Sequence, residues 1–102
     1  MSTSLETTTI KLFDYAGEFA ENKDVAAKLR TEIILPNLAN SNRVILDFEN
    51  VGNTTQSFIH ALISEAIRQY GIDVLDRLLF KSCNDKVQSI IGIVTDYMQY
   101  EG

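Results

Sequence analysis

The chain has 102 residues, enough for one domain and too short for two. Hydrophobic residues make up 45% and charged residues 23%, a globular mixture that builds one modest core, and the formal net charge is −5. Nine scattered Lys and Arg form no basic stripe, so nucleic acid is excluded as an expected partner. A single Cys and a single His exclude an internal disulfide and a Cys/His zinc site. No signal-like start and no apolar run near ~18 residues are present, which predicts a soluble, cytoplasmic protein away from the membrane.

Met1 to Glu6 are small and polar and are expected to be flexible, leaving residues 7–100 as a single domain. "TTTIKLFDY" reads as a strand closed by Gly17, with Ile10, Leu12 and Asp14 on one face. "ENKDVAAKLRTEIILPNLAN" reads as a helix capped by Asn22. Val25, Leu29 and Ile33 recur along it at helical spacing. Pro36 is expected to end or bend this helix near Ile34 or Leu35, because proline lacks the N–H and disfavours helical geometry before it.

"RVILDF" is the clearest strand. Val44, Ile45 and Leu46 are consecutive and branched or bulky, the pattern of a central strand buried on both faces. "TTQSFIHALISEAIRQYG" is the clearest helix. Phe58, Leu62, Ala66 and Tyr70 form its stripe, Ile59, Ile63 and Ile67 widen it, and Gly71 stands where a C-terminal residue of positive φ is wanted. "DVLDRL" fits a short helical turn and "RLLFKSC" a third strand. Asn84 caps the last helix, with Asp85 in its first turn and Val87, Ile90, Ile91, Val94 and Met98 facing the core. Gly92 inside that helix costs up to ~1 kcal/mol relative to Ala, and close packing against a strand is its expected compensation. The alternation predicts an α/β domain: a small, mostly parallel (mixed) sheet of three to four strands packed with helices.

In such sheets sites gather beyond the C-terminal ends of the strands. Three places qualify: Asp14 to Glu18, then Asp47, Glu49 and Asn50 with Asn53 to Ser57, and finally Ser82, Cys83 and Asn84. The second is richest. Its plain reading is a helix cap, with Asn53 or Thr54 accepting one of the first unpaired N–H groups. Its functional reading rests on the same physics, since a helix start favours negative charge. A phosphoryl group on Thr54, Thr55 or Ser57 adds about two negative charges there, opposed by Asp47 and Glu49. His60 lies one residue off the apolar stripe. Cys83 before a capped helix fits a lowered thiol pKa, but a buried inert thiol is the commoner case. No nucleophile-elbow, phosphate-loop or HExxH pattern occurs.

"RVILDFENVGNTTQSFIHALISEAIRQYG" followed by "RLLFKSCNDKVQSIIGIV" resembles the STAS-like family of bacterial domains of unknown function (DUF4325). These are related to the STAS domains of anti-sigma factor antagonists. The shared features are a buried strand ending in Asp-aromatic-Glu, the Val51 turn, a Ser/Thr-rich helix start with a following Phe, and a strand-x-Asn step before an apolar last helix. The resemblance implies a regulatory module without catalytic residues, cofactor or metal. It implies docking to a protein partner, a histidine-kinase-like ATPase or another regulator, and switching by Ser/Thr phosphorylation at the helix start. The antagonists carry an Asp-Ser-Ser-Gly type step there. This chain has Thr55, Gln56, Ser57 and Phe58, so the usual acceptor falls on Gln56 and only the flanking Thr55 or Ser57 can take the group.

The expected docking face is therefore Asp47, Glu49, Asn50, Asn53, Thr54, Gln56 and His60, with Thr55 and Ser57 as candidate phosphoacceptors. Two other readings stay open. One is a small-ligand-binding or enzymatic domain using the strand-end cleft around Asp47, Glu49 and His60. The other is a homo-oligomer assembled through helix faces.

Overall fold

The computed structural model describes residues 6–101, the side chains of Tyr100 and Glu101 excepted. The flexibility expected for Met1 to Glu6 concerns residues that, Glu6 apart, lie outside those described. The carbonyl of Glu6 accepts the Arg43 amide at 2.8 Å, ahead of the first strand pair.

Three strands form the main sheet: β1 (Thr7–Lys11), β3 (Arg43–Asp47) and β5 (Leu78–Lys81), in the order β1-β3-β5. Both pairings are parallel. Two two-residue strands, β2 (Phe19–Ala20) and β4 (Asn53–Thr54), pair parallel beyond the ends of β1 and β3. The expected α/β class and strand number hold, and every pairing is parallel where a mixed sheet was also allowed.

The first strand is shorter than "TTTIKLFDY" suggests. The β-branched threonines extend, but Leu12–Ala16 turns into a short helix, α1. Ile10 and Leu12 are both buried, whereas Asp14 is exposed. Leu12 enters the core by ending the strand and beginning a helix, which alternation alone does not reveal.

α2 (Lys23–Leu29) starts where expected, its first turn capped by the Asn22 carboxamide oxygen, which accepts the Asp24 amide at 2.9 Å. The disruption expected at Pro36 takes the form of a π-helical segment, Arg30–Ile34, rather than a stop. Helix then continues as α3 (Leu35–Ala39) with Pro36 in its first turn. The Leu35 amide reaches back five residues to the Arg30 carbonyl. This wider turn moves the helix past a residue that has no amide to donate.

Strand β3 is central, but its apolar residues are fully buried on one face only. Its Val44 and Leu46 side chains, with Ile10 and Leu78, are buried in the same core as Leu29, Leu62 and Val94. On the opposite face Thr9, Ile45 and Leu79 lie in register, followed by Lys11, Asp47 and Lys81. Thr9, Lys11 and Lys81 are exposed, and Ile45 and Leu79 are half-buried. The apolar run in β3 therefore overstates its burial, because Leu79 is its one apolar neighbour on that face and the others are threonine and lysine.

α4 (Gln56–Tyr70) lies against α2 and α5 (Asp85–Glu101). Every apolar residue of its predicted stripe is buried except Tyr70, which sits at the helix end with the Arg77 guanidinium 5.4 Å from its ring centroid. Gly71 follows at φ +83°, and a 3-10 turn, Ile72–Asp76, leads into β5. Close packing at Gly92 is not found: nothing lies within 4 Å of where a Cβ would stand.

Candidate functional site

Parallel strands place all their C-terminal ends at one edge, and the polar segment Asp47–Ser57 is built there. Asp47 is only 5% exposed, and its carboxylate accepts the Glu49 amide at 2.9 Å, closing an Asx turn. Asn50 then takes φ +70°, a left-handed position that asparagine tolerates. Val51 turns back into the core, its amide donating to the Phe48 carbonyl at 3.0 Å. Glu49 and Asn50 are left exposed at the tip.

Glu18 anchors the returning chain. Its carbonyl accepts the amides of Gly52 at 2.8 Å and Asn53 at 3.2 Å. Phe19 and Asn53 stand opposite each other in the β2–β4 pair, as do Ala20 and Thr54. Asn84 ties the same loop to the last helix: its amide nitrogen donates to the Gly52 carbonyl at 3.0 Å, while its oxygen accepts the Val87 amide at 2.9 Å. The expected cap at Asn84 is thus present and has a second use.

The cap of α4 is neither Asn53 nor Thr54. Both belong to β4, and the Asn53 side chain accepts the Thr54 amide instead. Thr55 is the cap, its hydroxyl oxygen accepting the Phe58 amide at 3.1 Å. Thr54 is 4% exposed and donates its hydroxyl to the Ala20 carbonyl at 2.7 Å. Thr54 and Asp47 therefore hold the face from behind and do not present side chains on it. Glu49, Asn50, Asn53, Gln56 and Ser57 are exposed, and Thr55 and His60 are half-buried.

Gln56 and His60 are one helical turn apart and face α5. With Ile93, Val94 and Tyr97 they line a groove of about 200 Å³. Ile93 is 48% exposed and Tyr97 56%, and the His60 and Tyr97 ring centroids are 6.4 Å apart. Ile93 and Tyr97 were not anticipated as site residues. Their signal is an i, i+4 apolar pair lying off the Val87–Met98 core stripe. Asp47 does not line this groove, so the face does not bring Asp47 and His60 together around it.

Cys83 follows β5 at the same edge and is half-buried. Burial, with the Asp47 charge adding to it, pushes its thiol pKa above the ordinary 9.0. The activated thiol that a helix start can produce is therefore not found. No group of three or more His, Cys, Asp or Glu among the described residues is placed to hold a metal.

An all-parallel sheet with a polar, capped helix start at its carboxyl edge defines a small α/β domain. The chain belongs to the family described as STAS-like domain of unknown function (DUF4325), whose model matches residues 25–88. That span holds the Asp47–His60 segment and Asn84. It leaves outside both Ile93 and Tyr97 and the α1–β2 segment. No curated protein and no solved structure matches the chain.

Proposed function

We propose that the chain is a non-enzymatic regulatory interaction module of the cytoplasm that docks to a protein partner through the start of α4 and the adjoining ridge of α5. The observation that carries this reading is the pairing of a polar helix start with exposed apolar side chains. Gln56 is exposed beside Ile93 and Tyr97, across a groove too small for most ligands, and Ser57 is exposed next to it in the first turn of α4. A polar rim around an exposed aromatic anchor is how protein interfaces are commonly composed.

The partner class is a histidine-kinase-like ATPase, by kinship with the anti-sigma antagonists. Ser57 is the acceptor that fits such a switch best. It is exposed, whereas the Thr55 oxygen already caps the helix through Phe58. Transfer of the γ-phosphoryl group of ATP to the Ser57 hydroxyl, with ADP leaving, places the charge on the first turn of α4. There the helix dipole favours it, while it disrupts a docked apolar contact.

The test is a binding titration with a histidine-kinase-like ATPase from the same organism. Ser57→Glu should weaken binding at least tenfold, and Tyr97→Ala similarly. Mass spectrometry after incubation with that ATPase and Mg-ATP should find the phosphoryl group on Ser57. Unchanged affinity in both variants would sink the docking face. A phosphoryl group found elsewhere, or none, would sink the switch.

A further inference from the structure

A second surface lies on the other side of the β2–β4 pair, and it does not rest on the docking face proposed at α4. Three large side chains follow β1 closely and remain in solvent: Phe13 at 41%, Tyr15 at 51% and Phe19 at 46%. Tyr15 forms one wall of a groove of about 470 Å³ between α1 and α2. Val25, Leu29 and Ile33 form the other wall. This is the stripe whose spacing marks a core face, yet only Leu29 is fully buried while Val25 and Ile33 are half-exposed. Residues at i, i+4 and i+8 span about 12 Å of helix, the length of two to three turns of an occupant.

Charge indicates what fills it. Asp14 and Glu32 stand on opposite walls, with Lys28 the one cation among the lining residues. Between Leu12 and Asn22 the chain carries Asp14, Glu18 and Glu21 and no Lys or Arg, and all three acids are exposed. Arg30, the next cation on this helical stretch, donates to the Ala61 carbonyl at 3.1 Å and so faces α4. A second copy of a chain with net charge −5 brings mostly like charge to this rim. We infer that the α1–α2 groove takes a basic amphipathic segment of a partner protein, its apolar side chains set between Tyr15 and the Val25–Ile33 stripe and its Lys or Arg beside Asp14 and Glu32. This is the helix-in-groove mode of recognition, with the charge pairs setting specificity and encounter rate.

The full chain, labelled with ¹⁵N, is titrated with a twelve-residue amphipathic Leu/Lys peptide and with the same peptide carrying Glu for Lys. Amide shifts centred on Tyr15, Val25 and Ile33 are expected with the Lys peptide, and none with the Glu peptide. Tyr15→Ser should weaken binding at least tenfold while leaving circular dichroism unchanged, since Tyr15 is exposed. Asp14→Lys with Glu32→Lys should reverse the preference between the peptides. Shifts centred elsewhere, equal response to both peptides, or no response overturn the inference. Sedimentation showing that the free chain pairs through Tyr15 would also overturn it, by assigning the groove to a second copy.

Discussion

The Thr54 hydroxyl donates to the Ala20 carbonyl at 2.7 Å across the β2–β4 pair. It is a buried bond between residues 34 apart in sequence, and it fixes the chain just before α4 begins. Thr54→Val keeps the shape and removes the donor. The expected cost is about 1–2 kcal/mol, from the lost bond and the carbonyl left without that partner. Urea denaturation should show a lower midpoint with an unchanged slope. An unaltered midpoint would mean that this bond does not hold the segment.

Thr55 and Asn84 both cap helices, but only Asn84 has a second use. Thr55→Ala should cost about 1 kcal/mol through loss of the bond from Phe58. Asn84→Ala loses the bond from Val87 and also the donation to Gly52, and should cost about 2 kcal/mol. Asn84→Asp retains an acceptor for Val87 and loses the donor, so it should fall between wild type and Asn84→Ala. If Asn84→Asp and Asn84→Ala are equally unstable, the cap contributes nothing.

Two glycines should respond in opposite directions to alanine. Gly71 has φ +83° and ψ 171°, a region that essentially only glycine occupies. Gly71→Ala should cost about 1–3 kcal/mol. Gly92 lies within α5 with open space where a Cβ would stand, so Gly92→Ala should stabilise by up to about 1 kcal/mol. Thermal melts of both variants test this. A destabilised Gly92→Ala would mean that the glycine serves a contact outside this chain.

Cys83 should behave as a poorly reactive thiol. Its pKa is raised by burial and then by Asp47, so the midpoint of its alkylation profile should lie above 9.0. Asp47→Asn should move that midpoint down. The folded chain keeps this proton to higher pH than the unfolded chain does. The thiol therefore adds no pH dependence to stability well below 9.0, and its contribution falls as pH rises past that value toward the folded pKa. Comparing wild type with Cys83→Ser at pH 8 and pH 10 isolates this effect from other groups titrating there. A midpoint below 9.0 would contradict the effect of burial and of the Asp47 charge on this thiol.

Much of the architecture is legible in local patterns. The β-branched run at Arg43–Asp47, the apolar stripe of α4, the stop at Gly71 and the cap at Asn84 are all decided within a few residues, by backbone sterics and by hydrogen bonds to nearby amides. The segment Asn53–Ser57 was legible as a helix start, but not which residue caps it. Asn53 and Thr54 have the right side chains for capping. They are withdrawn because β4 pairs with β2, and no local signal predicts a pairing of two residues across so long a loop. Pro36 similarly looks like a terminus, and a π-helical turn absorbs it.

The sequence by itself determined the alternation of strands and helices, the α/β class, the family and the polar edge that follows the central strand. These follow from periodicity, propensity and short-range hydrogen bonding. Only the tertiary structure decided which polar residues face solvent. Asp47 and Thr54 are turned inward by bonds to Glu49 and Ala20, while Gln56 and Ser57 are turned outward. It also decided that Ile93 and Tyr97 complete the α4 groove and that Tyr15 meets the Val25–Ile33 stripe. A surface is made where elements distant in sequence come together, and the packing that joins them depends on the whole chain at once.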